Sequence, residues 1–146
     1  MTVNNQLNIE IDMPKEASLW SLVKDHMPKE IHSQRIETGG TGKGVPDVNY
    51  CHRGKEIWME LKSIDGLKSE LSPFQMAWLF NRAKVGGNCF VLIRKTNSKE
   101  KEIKLYHIKD MTIKELGNLN WKTEAAYTLK TPYDWEEFFA FILASV

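Results

Sequence analysis

The chain is short of the features that would take it out of the ordinary run of globular domains. It has two cysteines in 146 residues, Cys51 and Cys89. They stand far apart and lack metal-ligand spacing, so they read as free thiols rather than a disulfide framework. No run of 18 apolar residues occurs, which argues against a membrane-spanning helix. Residues 1–16 are polar and acidic without an apolar signal core, so a cytoplasmic-type compartment is expected. A strong charge of either sign is also missing, the net value being +1. That neither demands nor excludes a nucleic-acid partner, and any basic surface has to be local.

What is present fits one α/β domain spanning residues 1–146. Apolar residues make up 42% and charged residues 27%, and five tryptophans with six phenylalanines favour a filled core over disorder. Residues 1–12 alternate weakly, as an edge strand or an ordered arm. Pro14 suits the first turn of a helix and Pro28 the stop after it. Between them Leu19, Leu22, Val23 and His26 take helical spacing. Glu16 begins a row with Trp20, Val23 and Met27. One reading is that an acid there complements the helix dipole; the other is that Glu16 points toward an internal site. Residues 31–38 read as a first strand.

Further on, Leu71-Ser72-Pro73 opens a helix over residues 74–85, with Met76, Leu79, Phe80 and Ala83 as its buried stripe and Gly86-Gly87 as its stop. Residues 88–94 form a near-continuous apolar run, the pattern of a central strand covered on both faces. Residues 102–108 alternate and pair back as another strand, residues 111–116 suit a short helix, and residues 121–129 an outer strand. Asp134 caps a last helix over residues 132–145 that docks Trp135, Phe138, Phe139 and Ile142.

The chemistry concentrates in residues 44–63. The preceding stretch, GGTGKG at 39–44, holds glycines and Lys43 but is followed by a strand, whereas a nucleotide loop needs Gly-Lys-Ser/Thr leading into a helix. It reads instead as a flexible loop that lets backbone approach a ligand. Residues 46–50 and 56–63 then form a hairpin turning at residues 52–55. Trp58, Glu60 and Lys62 share one face of the second strand, and Met59 and Leu61 share the core face. Asp47 begins one strand and Glu60 nears the end of the next, so an antiparallel hairpin brings the two carboxylates together. Like charges there repel unless a cation sits between them. Mg²⁺ prefers such oxygens, with the Leu61 carbonyl as a further ligand. Lys62 points at the same place, where it can hold an attacking water or stabilise charge on a phosphate. The competing reading is a turn Asp with a surface Glu–Lys pair.

Pro46-Asp47 followed by Glu60-Leu61-Lys62 resembles the Asp…Glu-x-Lys signature of the PD-(D/E)XK nuclease superfamily. With the Glu16 helix before it and Leu71-Ser72-Pro73-Phe74-Gln75, Gly86-Gly87 and Phe90-Val91-Leu92-Ile93 after it, the order is similar to the VRR-NUC branch and to Holliday-junction resolvases, over about residues 14–108. The resemblance implies a restriction-endonuclease-like αβββαβ core with a mixed central sheet flanked by helices. It implies a metal-dependent DNA endonuclease acting on branched or structured DNA, with Mg²⁺ as cofactor, Mn²⁺ as substitute, and a homodimer as assembly. On it, Asp47, Glu60, the Leu61 carbonyl and Glu16 are metal ligands, Lys62 is the catalytic lysine, and Gln75 joins the catalytic set. Phe74 departs from the resolvase pattern, where a histidine often precedes that glutamine. Arg35, Lys43, Arg53, Lys55, Lys68 and Arg82 are the expected phosphate contacts. The alternative is a catalytically silent nucleic-acid-binding module on the same fold.

Overall fold

Alternation of apolar side chains on both faces of the strands builds the architecture. The computed structural model describes residues 15–37 and 42–146, with side chains from residue 17 onward. In chain order it shows α1 (Lys15–Asp25), β1 (His32–Arg35), β2 (Val48–His52), β3 (Lys55–Ile64), α2 (Pro73–Lys84), β4 (Asn88–Lys95), β5 (Ile103–His107), α3 (Ile113–Gly117), β6 (Tyr127–Leu129) and α4 (Trp135–Ala144). The first six elements give the expected αβββαβ order. Among the described residues the strands form one sheet in the order β1-β2-β3-β4-β5-β6. Every neighbouring pair is antiparallel except β3 and β4, which run parallel and are joined by α2. Parallel neighbours need a crossover element, and α2 supplies it.

Two cores sit on opposite faces. On one, Ile57, Met59, Leu61, Phe90 and Leu92 pack with Leu19 and Val23 of α1 and with Trp135, Phe138, Phe139 and Ile142 of α4. On the other, Ile64, Cys89, Val91 and Ile93 pack with Leu79 of α2 and Leu116 of α3. Cys89, Phe90, Val91, Leu92 and Ile93 have no exposed surface, as expected for a strand covered on both sides. Both cysteines are free. None of the described helices is long and apolar enough to cross a membrane.

Several boundaries differ from the sequence expectation, among them the last helix, which starts at Trp135 rather than at residue 132 because Asp134 is its N-cap. β1 is shorter than residues 31–38: the Ile31 N–H is bound back to the Pro28 carbonyl at 3.2 Å, and Thr38 lies outside the described residues. β2 starts at Val48 and runs on to His52, because the hairpin closes through two residues only. Arg53 (φ 50°) and Gly54 (φ 79°) both take the left-handed conformation that matches strand twist. β6 keeps only three residues. Upstream of it the chain is drawn elsewhere: the Trp121 N–H bonds the Leu67 carbonyl at 2.7 Å, and Lys104 Nζ takes the Trp121 carbonyl at 2.6 Å. Residues 1–12 lie outside the described residues.

Candidate active site at the β2–β3 edge

The hairpin register places the site. Val48 pairs with Met59, so one step back along β2 sets Asp47 beside Glu60. Asp47 is pinned from both sides. Its carbonyl accepts from the Ile36 N–H at 2.7 Å, its own N–H donates to Glu60 Oε1 at 3.2 Å, and its Oδ2 accepts the Leu61 N–H at 2.8 Å. The N–H and C=O of a strand residue face the same edge, so the Leu61 carbonyl also looks toward Asp47. Pro46, which has no N–H to satisfy, is buried just before it.

Glu60 is the unusual residue. It occupies a position on the α2 face that Trp58 and Ile64 fill with apolar groups, opposite Val91 of β4. Its side chain is 1% exposed. Burial pushes its carboxyl well above the ordinary range, and contact with the Asp47 carboxylate adds to this, while the Lys62 charge pulls the other way. Its Oε2 is buried without a hydrogen-bond partner. Folded proteins rarely leave such an atom alone, because an unpaired buried acceptor costs about 1–3 kcal/mol. A bare carboxylate oxygen, a second carboxylate against it and a backbone carbonyl at the same edge form a hard oxygen set suited to a divalent cation completed by water. Among the described residues no third Asp, Glu, His or Cys joins the pair. Glu16 lies in α1, but its side chain falls outside the described residues.

Lys62 follows on the same strand face and is half-buried. Gln75 sits in the first turn of α2, where its side-chain oxygen accepts the Ser72 N–H at 2.9 Å and its own N–H donates to Ser72 Oγ at 3.1 Å. This reciprocal capping box fixes the helix start next to the site. Within the described part of the glycine stretch, Gly44 comes close to protein. Gly44 (φ 85°) lies so near that turn that an added Cβ would stand 2.2 Å from the Phe74 carbonyl oxygen. Lys43 Nζ lies 5.1 Å from the centroid of the Phe74 ring.

The basic residues fall into separate places. Lys43 and Lys68 are exposed at the α2-start end of the sheet. The Arg82 guanidinium is held on two indoles, 5.4 Å from the Trp58 centroid and 4.5 Å from that of Trp78. Arg35 pairs with Val48, so it belongs to the sheet face opposite Glu60. Arg53 lies in the hairpin turn and Lys55 pairs with His52 beside it, five to six residues from Asp47 along the strand direction, or about 17–20 Å at strand rise. Lys55 Nζ donates to the Val146 carbonyl at 2.6 Å. Sequence reasoning missed the Gly44–Phe74 approach and the Trp58–Arg82–Trp78 stack. The Gly-Lys-Gly and Trp-x₁₉-Trp-x₃-Arg spacings carry no signal without knowledge of which helix covers the strand.

The αβββαβ core with its mixed sheet puts the chain in the α/β class with restriction-endonuclease-like architecture. No protein-family model matches the chain, and no curated protein matches it. Among solved structures it is similar to Hjc, a Holliday junction resolvase from the archaeal hyperthermophile Archaeoglobus fulgidus, with 14% identity, a TM-score of 0.47, and coverage of 80% of this chain and 86% of that one. That likeness concerns the fold and says nothing by itself about activity.

Proposed function

We propose that the protein is a divalent-metal-dependent DNA endonuclease of the PD-(D/E)XK type, acting on branched or structured DNA. The observation that carries this is the buried Glu60 carboxyl, with Oε2 unpartnered, set against Asp47 and followed on the same face by Lys62. A structural carboxylate at that depth would be paired; a metal ligand awaits its cation. Asp47, Glu60 and the Leu61 carbonyl would hold Mg²⁺ or Mn²⁺, with Glu16 as the proposed additional acid. The bound metal would supply a water of lowered pKa and offset charge on the phosphate. Asp47, fixed by Leu61 and Ile36, keeps its carboxylate aimed at the strand edge. Lys62 places an ammonium where charge builds on the scissile phosphate, and Gln75 holds the α2 start against the site. Hydrolysis leaves a 5′-phosphate. DNA is the proposed partner, with Lys43 and Lys68 nearest the site. A homodimer would set two such sites against two strands.

The test is cleavage of branched and flayed DNA with Mg²⁺ or Mn²⁺. Wild type should cut, and Lys62→Ala should lose activity by at least about 100-fold with DNA binding retained. Asp47→Ala should abolish the Mn²⁺ binding that wild type shows by calorimetry. If wild type and Lys62→Ala bind DNA equally and neither cuts it, the protein is a silent binding module.

A further inference from the structure

We propose that Phe74 is a stacking platform for an unpaired nucleobase of the DNA strand that passes the Asp47–Glu60 site. This rests on the nuclease reading and deepens it by naming the kind of DNA the site selects. Phe74 is 57% exposed, among the few large apolar side chains of the described residues left in solvent. The neighbouring residues hold its backbone rigidly. Pro73 fixes the first helical position, and the Ser72–Gln75 capping box locks the turn with bonds of 2.9 and 3.1 Å. Gly44 packs against the Phe74 carbonyl so closely that no side chain fits between them. An aromatic ring on a fixed backbone binds at little entropic cost.

Its position relative to the reaction follows from the chain. Gly44 touches Phe74 and lies three residues before Asp47, a span of at most about 11 Å. At about 3.4 Å of rise per nucleotide, the ring stands within a few nucleotides of the scissile phosphate. Lys43 Nζ lies over one face of the ring, 5.1 Å from its centroid, so a base would stack on the opposite face. An aromatic face with an adjacent ammonium is complementary to a base and its flanking phosphate. Bases inside a duplex are already stacked, so only an unpaired or splayed base gains from the platform. The selected substrate is therefore DNA with an unpaired arm beside a duplex.

The experiment compares two DNAs in Ca²⁺ buffer: a fully paired duplex, and the same duplex with a short unpaired arm bearing 2-aminopurine at its first unpaired base. Wild type should bind the armed DNA more tightly and quench the 2-aminopurine. Phe74→Ala should reduce the armed-over-paired preference by about 5- to 150-fold and abolish the quenching. Phe74→Trp should restore both, and Phe74→Leu neither. Truncating a ring this exposed leaves both cores intact, and matched thermal melts check that. If Phe74→Ala keeps the wild-type preference while wild type still cuts in Mg²⁺, stacking is overturned and the nuclease reading stands. If wild type neither binds nor cuts either DNA, both are overturned.

Discussion

At the residue scale, the proposed function turns on Glu60. An isolated buried charge is expensive, and the neighbouring Asp47 makes it more so. The folded chain therefore keeps a proton on Glu60 at pH values where the unfolded chain has lost it. Unfolding then releases that proton, so stability falls as pH rises from the ordinary carboxylate range, about 4.3, toward the raised folded value. Below that range both states are protonated and the contribution is level. Half-buried His107, whose pKa is lowered, acts with the opposite sign, so the difference between wild type and Glu60→Gln isolates Glu60. Urea denaturation of metal-free protein should show Glu60→Gln more stable than wild type by about 1–4 kcal/mol at pH 8 and closer to it at pH 5. Millimolar Mg²⁺ should stabilise wild type at pH 8 and leave the variant unmoved. A variant less stable than wild type at pH 8 without metal would show that the Glu60 carboxyl has a stabilising partner and is not held in reserve for a cation.

At the element scale, the start of α2 does more than begin a helix. It receives Gly44, three residues before Asp47, and caps itself. Gly44→Ala meets both a left-handed φ and a backbone oxygen 2.2 Å from the new Cβ, neither of which can yield as a flexible side chain would. It should cost about 2 kcal/mol or more and displace the segment leading to Asp47, so cleavage should drop further than the lowered Tm explains. Ser72→Ala, which removes only the cap, should cost about 1 kcal/mol. Equal melting temperatures for Gly44→Ala and wild type would show that loop and helix are not in contact. The elements themselves were legible because their signals are local. Ser72-Pro73 announces a helix, the apolar run from Cys89 to Ile93 announces a buried strand, and Asp47 and Glu60 fall opposite each other in any hairpin turning near residue 53. Glu60's burial was not legible, since Trp58, Glu60 and Lys62 alternate as an exposed face would, and that face is closed only by the tertiary packing of the second core. The glycines were read as letting backbone approach a ligand, whereas Gly44 approaches the Phe74 carbonyl. β6 was overextended because the capture of Trp121 by Leu67 and Lys104 is a long-range event that no local pattern carries.

At the scale of the whole molecule, 20 Lys and Arg against 19 Asp and Glu leave almost no net field to draw DNA in. For the proposed DNA partner, binding then depends on where the cations stand. Lys43, Lys62 and Lys68 lie toward the end of the sheet where β3 runs into α2, and Arg53 and Lys55 lie at the far turn of the hairpin, about 17–20 Å away along the strand. A footprint centred on the site engages the first group alone, and one running the length of the hairpin engages both. The salt dependence of affinity separates them, because each neutralised phosphate contributes about −0.9 to the slope of log K against log salt. Between 50 and 200 mM NaCl the slope should be about −3 by fluorescence anisotropy in Ca²⁺. Lys43→Ala should reduce its magnitude by about 1, and Arg53→Ala should leave it where it was. Lys55 is committed to the Val146 carbonyl at 2.6 Å, which further disfavours a long footprint. A wild-type slope of about −5 that falls with Arg53→Ala would instead extend the DNA path along the whole hairpin and move the binding surface off the α2 start.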